Sequence, residues 1–165
     1  MVQTFVTLRH TRRSTGLLIS WLCVVSLVGC DVETPTDSFV RFVNACSAHD
    51  ADNAFGRLSP PTQQLVTLSS ARHAAAHPER RMAPAQFMFA EESIAGLAQG
   101  FSQVNEVARL TVQGESWAVL HEVNLEGDVA QVFMVQSGTR WLLHAAMPPA
   151  ELLKASHSAL EGGDH

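Results

Sequence analysis

Tyrosine is absent from these 165 residues, and only three cysteines are present. Three cysteines cannot build the dense disulfide framework on which small secreted scaffolds rely. Basic residues are scarce, eleven against sixteen acids for a net charge of −5. Such a balance offers no basic face to a nucleic-acid backbone, so nucleic acid is excluded as a partner. There is no phosphate loop, no Cys-x-x-Cys, no cofactor motif and no internal repeat. No apolar run is long enough to span a bilayer, which takes ~20 residues for ~30 Å of hydrocarbon. What is there is apolar: 46% hydrophobic and 16% charged residues. That composition excludes a disordered or collagen-like chain. At ~100–200 residues per domain it leaves room for one globular domain and a leader.

The leader reads in three parts. Arg9, Arg12 and Arg13 sit in residues 1–16 without an acid, and residues 17–29 (LLISWLCVVSLVG) carry no charge. Cys30 and Asp31 then open a polar stretch. This is the pattern of a secretory signal. The junction Leu27-Val28-Gly29-Cys30 resembles the lipobox of bacterial lipoproteins. The resemblance implies cleavage between Gly29 and Cys30 and acylation of the Cys30 sulfur, with palmitate-type chains. A thiol is the nucleophile able to attack a lipid donor. Two or more acyl chains, at ~0.8 kcal/mol per buried CH₂, hold a protein on a bilayer where one chain would not. The alternatives are an ordinary signal peptide with a coincidental cysteine, or an uncut helix. Cys23 lies inside the discarded segment.

All three leader arginines leave with it, so residues 30–165 hold eight basic residues and all sixteen acids. Asp31 is similar to the inner-membrane retention signal of enterobacterial lipoproteins. The expected organisation is a signal peptide over 1–29, a lipidated tether over 30–36, a folded domain over 37–150 and a tail over 151–165. The tether spans ~20 Å at most, which keeps the domain close to the membrane.

Thr34-Pro35-Thr36-Asp37 predicts a helix start, with Thr34 as cap and Pro35 in the first turn. Phe39, Phe42, Val43 and Cys46 follow at helical spacing. Asp50 caps a second short helix with Ala51, Ala54, Phe55 and Leu58 inward. A third begins at Ser59-Pro60-Pro61, with Leu65, Leu68, Arg72 and Ala75 on one face, and ends at Pro78. Residues 78–84 read as a loop and 85–100 as one or two broken helical turns. From Val104 the period becomes two. Strands are expected over 104–113, 116–126, 129–137 and 140–146, joined by Gly114-Glu115, Gly127-Asp128 and Gly138-Thr139, each the length of a tight hairpin. The tail adds a helical turn near Leu152-Leu153.

Two-residue loops place Val112 opposite Trp117, His121 opposite Met134 and Met134 opposite Leu143. One sheet face then carries Trp117, Val119, His121, Val132, Met134, Trp141 and Leu143 and is expected under the helices. The other, with Glu122, Phe133, Val135, Leu142 and His144, is mixed and partly wet.

Helices followed by an antiparallel meander make an α+β pattern. It resembles the nuclear transport factor 2-like superfamily, a cystatin-like cone with N-terminal helices packed on a curved four-stranded sheet. The residues that carry the resemblance are Thr34-Pro35, Asp50 with Ala54 and Leu58-Ser59, the alternation of the second strand, and Gly138-Thr139-Arg140-Trp141-Leu142. Ketosteroid isomerase-like members imply an Asp base and a Tyr in an oxyanion hole. This chain has no Tyr and no Asp on the expected strands, so that chemistry is disfavoured.

His121 is the only ionisable group on the expected apolar face, with Trp117, Met134 and Trp141 lining a pocket beside it. It reads as a general base or ligand donor, or, more plainly, as a hydrogen-bonded core histidine. His73 and His77 share a helix side, but the pair lacks a third metal ligand other than Glu79, and no metal is expected. Gly114-Glu115-Ser116-Trp117-Ala118 lacks the following helix that a nucleophile elbow needs. Cys46 falls on the apolar stripe as a small packed hydrophobe. The expectation is a lipid-anchored module of the bacterial cell envelope, its domain outside the cytoplasm, non-enzymatic and without cofactor. The inner membrane is favoured by Asp31. The alternative is a small-molecule enzyme or carrier using the pocket around His121. A protein or small-molecule partner, and a homodimer through the sheet, are left open.

Overall fold

The computed structural model describes residues 33–89, 101–124 and 127–161. The chain divides into two units, Met1–Cys30 and Asp31–His165, and every described residue falls in the second. The leader, Gly29, Cys30 and most of the segment expected to form broken helical turns lie outside the described residues.

The first helix, α1 (Pro35–Ser47), begins as the sequence predicts: Thr34 Oγ1 accepts from the Asp37 amide at 3.1 Å and donates to the Asp37 carboxylate at 2.6 Å. Phe39, Phe42, Val43 and Cys46 turn inward at the helical period. Asp50 caps α2 (Ala51–Phe55) through the Asn53 amide. The third helix, α3 (Pro60–Ala76), departs from expectation in its buried stripe. Leu65 and Leu68 are about half exposed (48% and 52%), and the inward positions are Thr62, Val66 and Ser70. Hydroxyls are tolerated there because each has a partner: Ser70 donates to the Met82 carbonyl, and Thr62 bonds Ser59 and the Ala145 amide. A 3₁₀ turn (Pro78–Arg80) and α4 (Pro84–Phe87) follow.

Four strands, β1 (Phe101–Val112), β2 (Glu115–Asn124), β3 (Val129–Ser137) and β4 (Arg140–His144), form one open antiparallel sheet in the order β1-β2-β3-β4. The architecture is therefore α+β, helices first and a four-stranded meander after. A parallel bridge between Leu58 and Leu143 lays residues 57–59 along the outer edge of β4. The register of β1 on β2 shifts between Phe101 and Gln103 and again between Glu106 and Ala108. The second shift brings Glu106 and Arg109 to one face, where they form a two-pronged ion pair at 2.7 Å and Arg109 lies over the Trp141 ring, 5.3 Å from its centroid.

Two differences from the expected register decide the rest. The first hairpin turns at Gln113-Gly114, with both residues at positive φ (53° and 85°), rather than at Gly114-Glu115. Val112 therefore pairs with Glu115, and Trp117 with Leu110. The second connection is longer than two residues: Val123 pairs with Val129, and the Asn124 amide donates to the Asp128 carbonyl. His121 consequently pairs with Gln131 and Met134 with Ala118, a slip of three positions, and an odd slip exchanges the faces. The third turn, Gly138-Thr139, and the pairing of Met134 with Leu143 are as expected.

The face toward α1–α3 therefore carries Ala118, Leu120, Val132, Met134, Trp141 and Leu143, which pack with Phe39, Phe42, Leu58 and Met88. Removing each large side chain from water contributes ~1.5–3 kcal/mol. Ser38, itself buried, donates to the Trp141 carbonyl at 2.5 Å and ties α1 to β4. The far face is more apolar than expected but stays partly wet: Phe133 and Leu142 are half-buried and Val129 is exposed. The tail is not a single turn but α5 (Ala150–Glu161), whose fully buried Leu152 packs with Val112, Trp117, Val119 and Val135. Expecting one turn near Leu152-Leu153 overlooked that Leu152 and Ser156 are one helical turn apart, and both are buried.

Candidate functional site

The four residues expected to share a pocket divide between two faces. Met134 and Trp141 stand in the core beneath the helices, 1% and 2% exposed. Trp117 stands on the far face beside α5, and alternation along β2 puts half-buried His121 on that face too. The odd slip at the β2–β3 connection is the physical cause. The pocket of Trp117, His121, Met134 and Trp141 is therefore not formed by these side chains together.

On the far face, a different group is assembled. Ser59 and Thr62 come from the start of α3, and His144 from the end of β4. The Ala145 amide donates to Thr62 Oγ1 at 2.9 Å, Thr62 Oγ1 lies 2.9 Å from Ser59 Oγ, and Ser59 Oγ lies 3.0 Å from His144 Nδ1. Each hydroxyl can donate and accept, so the direction of the chain follows the tautomer of His144: Nδ1 accepts from Ser59 when the proton sits on Nε2, and donates to it when the proton sits on Nδ1. Burial lowers its pKa from the usual imidazole range, opposed by a backbone group of Met147 and by Glu115. The Trp117 and His144 rings meet edge to face, centroids 4.9 Å apart. Trp117 Nε1 and His144 Nε2 are buried without hydrogen-bond partners.

A serine hydroxyl on a histidine nitrogen is also how a nucleophile is activated, but that use requires an accessible oxygen. Ser59 and Thr62 are both fully buried. The chain of bonds instead fastens the start of α3 to the end of β4. A recess of about 240 Å³ borders it, lined among others by Gln131, Phe133, His144 and Pro148. The His121 Nε2 atom, on the strand next to Gln131, is buried without a partner.

Glu122 is a residue that sequence reasoning misplaced. It was assigned to the wet face, yet it is 5% exposed on the helix side, level with Ala130 and Val104. Burial raises its carboxyl above the usual range, and no ion pair compensates it among the described residues. The alternation of β2 would have revealed it only with the correct loop length.

The His73 and His77 rings lie 5.0 Å apart, and His77 Nδ1 is 3.8 Å from Glu79. Among the described residues no group of three or more His, Cys, Asp or Glu side chains could hold a metal ion. Cys46 is buried, and burial pushes its thiol up to about 11, which leaves it protonated and unreactive at neutral pH. Ser116 sits inside a hairpin, with a strand rather than a helix after it. No helix among the described residues is long and apolar enough to cross a membrane. No protein-family model, curated protein or solved structure matches this chain.

Proposed function

We propose that this chain is a bacterial lipoprotein, fixed to a membrane of the cell envelope through acyl chains on Cys30, and that its α+β domain is a binding or interaction module rather than an enzyme. The observation that carries the reading is the junction Leu27-Val28-Gly29-Cys30 at the end of a thirteen-residue uncharged run with arginines before it. The short interval from Cys30 to the Thr34 cap of α1 suits a domain held against its bilayer. The non-catalytic part is supported by the polar interior. Ser59, Thr62 and His144 are occupied with one another, and the Cys46 thiol is masked. The order of elements, helices and then a meander with its apolar face beneath them, supports a nuclear transport factor 2-like cone.

Growth with labelled palmitate tests the anchor. The wild-type chain takes up label, whereas Cys30→Ser takes up none and accumulates as precursor. Label retained by Cys30→Ser overturns the reading. One observation favours a second use of the same domain, as a small-molecule carrier: the 240 Å³ recess beside His144 and Gln131, with the orphaned His121 Nε2 on the neighbouring strand. A His121→Phe chain that keeps its stability yet loses a ligand-induced rise in Tm would identify that use.

A further inference from the structure

Three of the eight basic residues in 30–165 converge on one groove at the start of the fold. Its volume is about 570 Å³, and its lining comprises Glu33, Thr34, Asp37, Arg41, Arg57, Thr139 and Arg140. The cations come from three separate places in the chain: Arg41 from α1, Arg57 from the segment after α2, and Arg140 from the start of β4. Nothing local in the sequence brings them together; the bridge of residues 57–59 on β4 does.

Among the described residues the groove holds three guanidiniums against two carboxylates, Glu33 and Asp37. A single oxygen, Glu33 Oε1, serves both Arg57 at 3.2 Å and Arg41 at 3.5 Å. Asp37 is engaged by Thr34 in the helix cap. Arg140 is exposed, with no side-chain partner among the described residues. Arg57 is the most constrained: its side chain is only 11% exposed, and its Nε is buried with no hydrogen bond. Each guanidinium presents five donors in a fixed fork. A desolvated cation sharing one carboxylate oxygen with a second arginine is under-compensated. The plainer reading, arginines solvated around one glutamate, accounts for Arg41 but not for the orphaned Arg57.

The missing partner is a compact anion with several oxygens, for which forked arginine donors are the matching recognition group. We propose that this groove binds a phosphate group. The location points to a source. Glu33 follows Cys30 by three residues, so at most ~11 Å of chain separates the groove from the acylated sulfur. A site so close to the anchor meets the headgroup phosphates of anionic lipid before any soluble ligand. That assignment of source rests on the lipid-anchor reading; the phosphate chemistry does not. It also reconciles a domain rich in acid with a negatively charged surface, because the cations are gathered where the chain enters the bilayer.

The test uses the full chain in neutral detergent micelles and follows ³¹P line broadening of two probes, inorganic phosphate and dihexanoyl-phosphatidylglycerol below its own micelle concentration. Arg41→Ala/Arg140→Ala removes the two exposed cations and leaves buried Arg57 in place, so the fold is spared. Saturable broadening is expected in the wild-type chain, at least about tenfold weaker in the double variant, since a hydrogen bond to a charged group is worth that much or more. Arg72→Ala, on the exposed side of α3, should bind as wild type. Broadening of the lipid alone assigns the headgroup as source, and broadening of both probes gives a phosphate site open to either. Broadening of phosphate alone keeps the site and overturns the lipid source. No broadening of either probe, or broadening that the double variant retains, overturns the proposal. Cys30→Ser in the same micelles should bind phosphate as wild type does. A failed anchor therefore shows in the palmitate label and a failed groove in the ³¹P line.

Discussion

Toward α1–α3 the sheet presents Ala118, Leu120, Val132, Met134, Trp141 and Leu143, with Glu122 as its one buried charge. Beneath α5, Trp117, Val119 and Val135 share the surface with a bonded chain of Ser59, Thr62 and His144. The first face is held by area, with large rings from α1 and from Trp141 of β4 and aliphatics from both sides. The second is held by fewer apolar contacts and by polar groups that satisfy one another. The difference teaches that burial alone does not define a core here. One face tolerates changes of polarity badly, the other tolerates the loss of a partner badly.

The contrast is broken most strongly by a cavity. Phe42→Ala, at a fully buried ring on the first face, should cost ~3–5 kcal/mol, whereas Leu152→Ala on the second should cost ~2–3 kcal/mol, because α5 closes the chain and can settle. Urea midpoints of the two variants check the order; equal losses would make the faces equivalent. Ser59→Ala should cost ~1–3 kcal/mol by leaving His144 Nδ1 unpaired in a buried place and removing one bond from Thr62. Thr67→Ala, whose hydroxyl bonds an exposed helix carbonyl, should cost much less.

The two faces also answer pH with opposite signs. Burial depresses His144 below its unfolded value near 6.5, so the unfolded chain takes up that proton first. The contribution of His144 is intact above about 6.5 and is lost as pH falls from there toward the depressed folded value. Burial raises Glu122 above its unfolded value near 4.5, so the folded chain holds the proton longer. Its contribution is intact below about 4.5 and declines as pH rises through the raised folded value. Stability curves against pH should lose their acid-side fall below 6.5 in His144→Gln and their decline above 4.5 in Glu122→Gln. A slope left unchanged in either variant would break the assignment for that face. The smallest effect is expected outside both faces. Gln113 holds φ 53° in its turn, a conformation asparagine adopts more easily, so Gln113→Asn should stabilise by about 0.5 kcal/mol, readable as a small rise in Tm.

Helix starts were legible because capping is local chemistry. Thr34 with Asp37 and Asp50 with Asn53 form their bonds within four residues. The β3–β4 hairpin was legible for the same reason, its glycine sitting in the turn. The faces of β2 were not, because they depend on counting residues across a connection. A glycine at 127 marked a turn without marking its length, and three residues of slip were enough to carry Trp117 and His121 away from Met134 and Trp141. The inward stripe of α3 was hidden for another reason. Thr62, Val66 and Ser70 look like solvent positions until the far-off Ala145 amide and Met82 carbonyl are known to meet two of them. Glu122 and His144 follow the same logic: their burial is decided by elements distant in sequence.

The segment along β4 and the two register shifts of β1 have a bearing on how copies of this protein coexist. Residues 57–59 occupy the hydrogen-bonding row that β4 would otherwise leave open, and β1 is interrupted near Ser102 and Val107. A neighbour seeking to extend the sheet finds one terminal strand already taken and the other bent away from a straight template. Copies of the domain therefore meet fewer open backbone groups through which two sheets could join edge to edge.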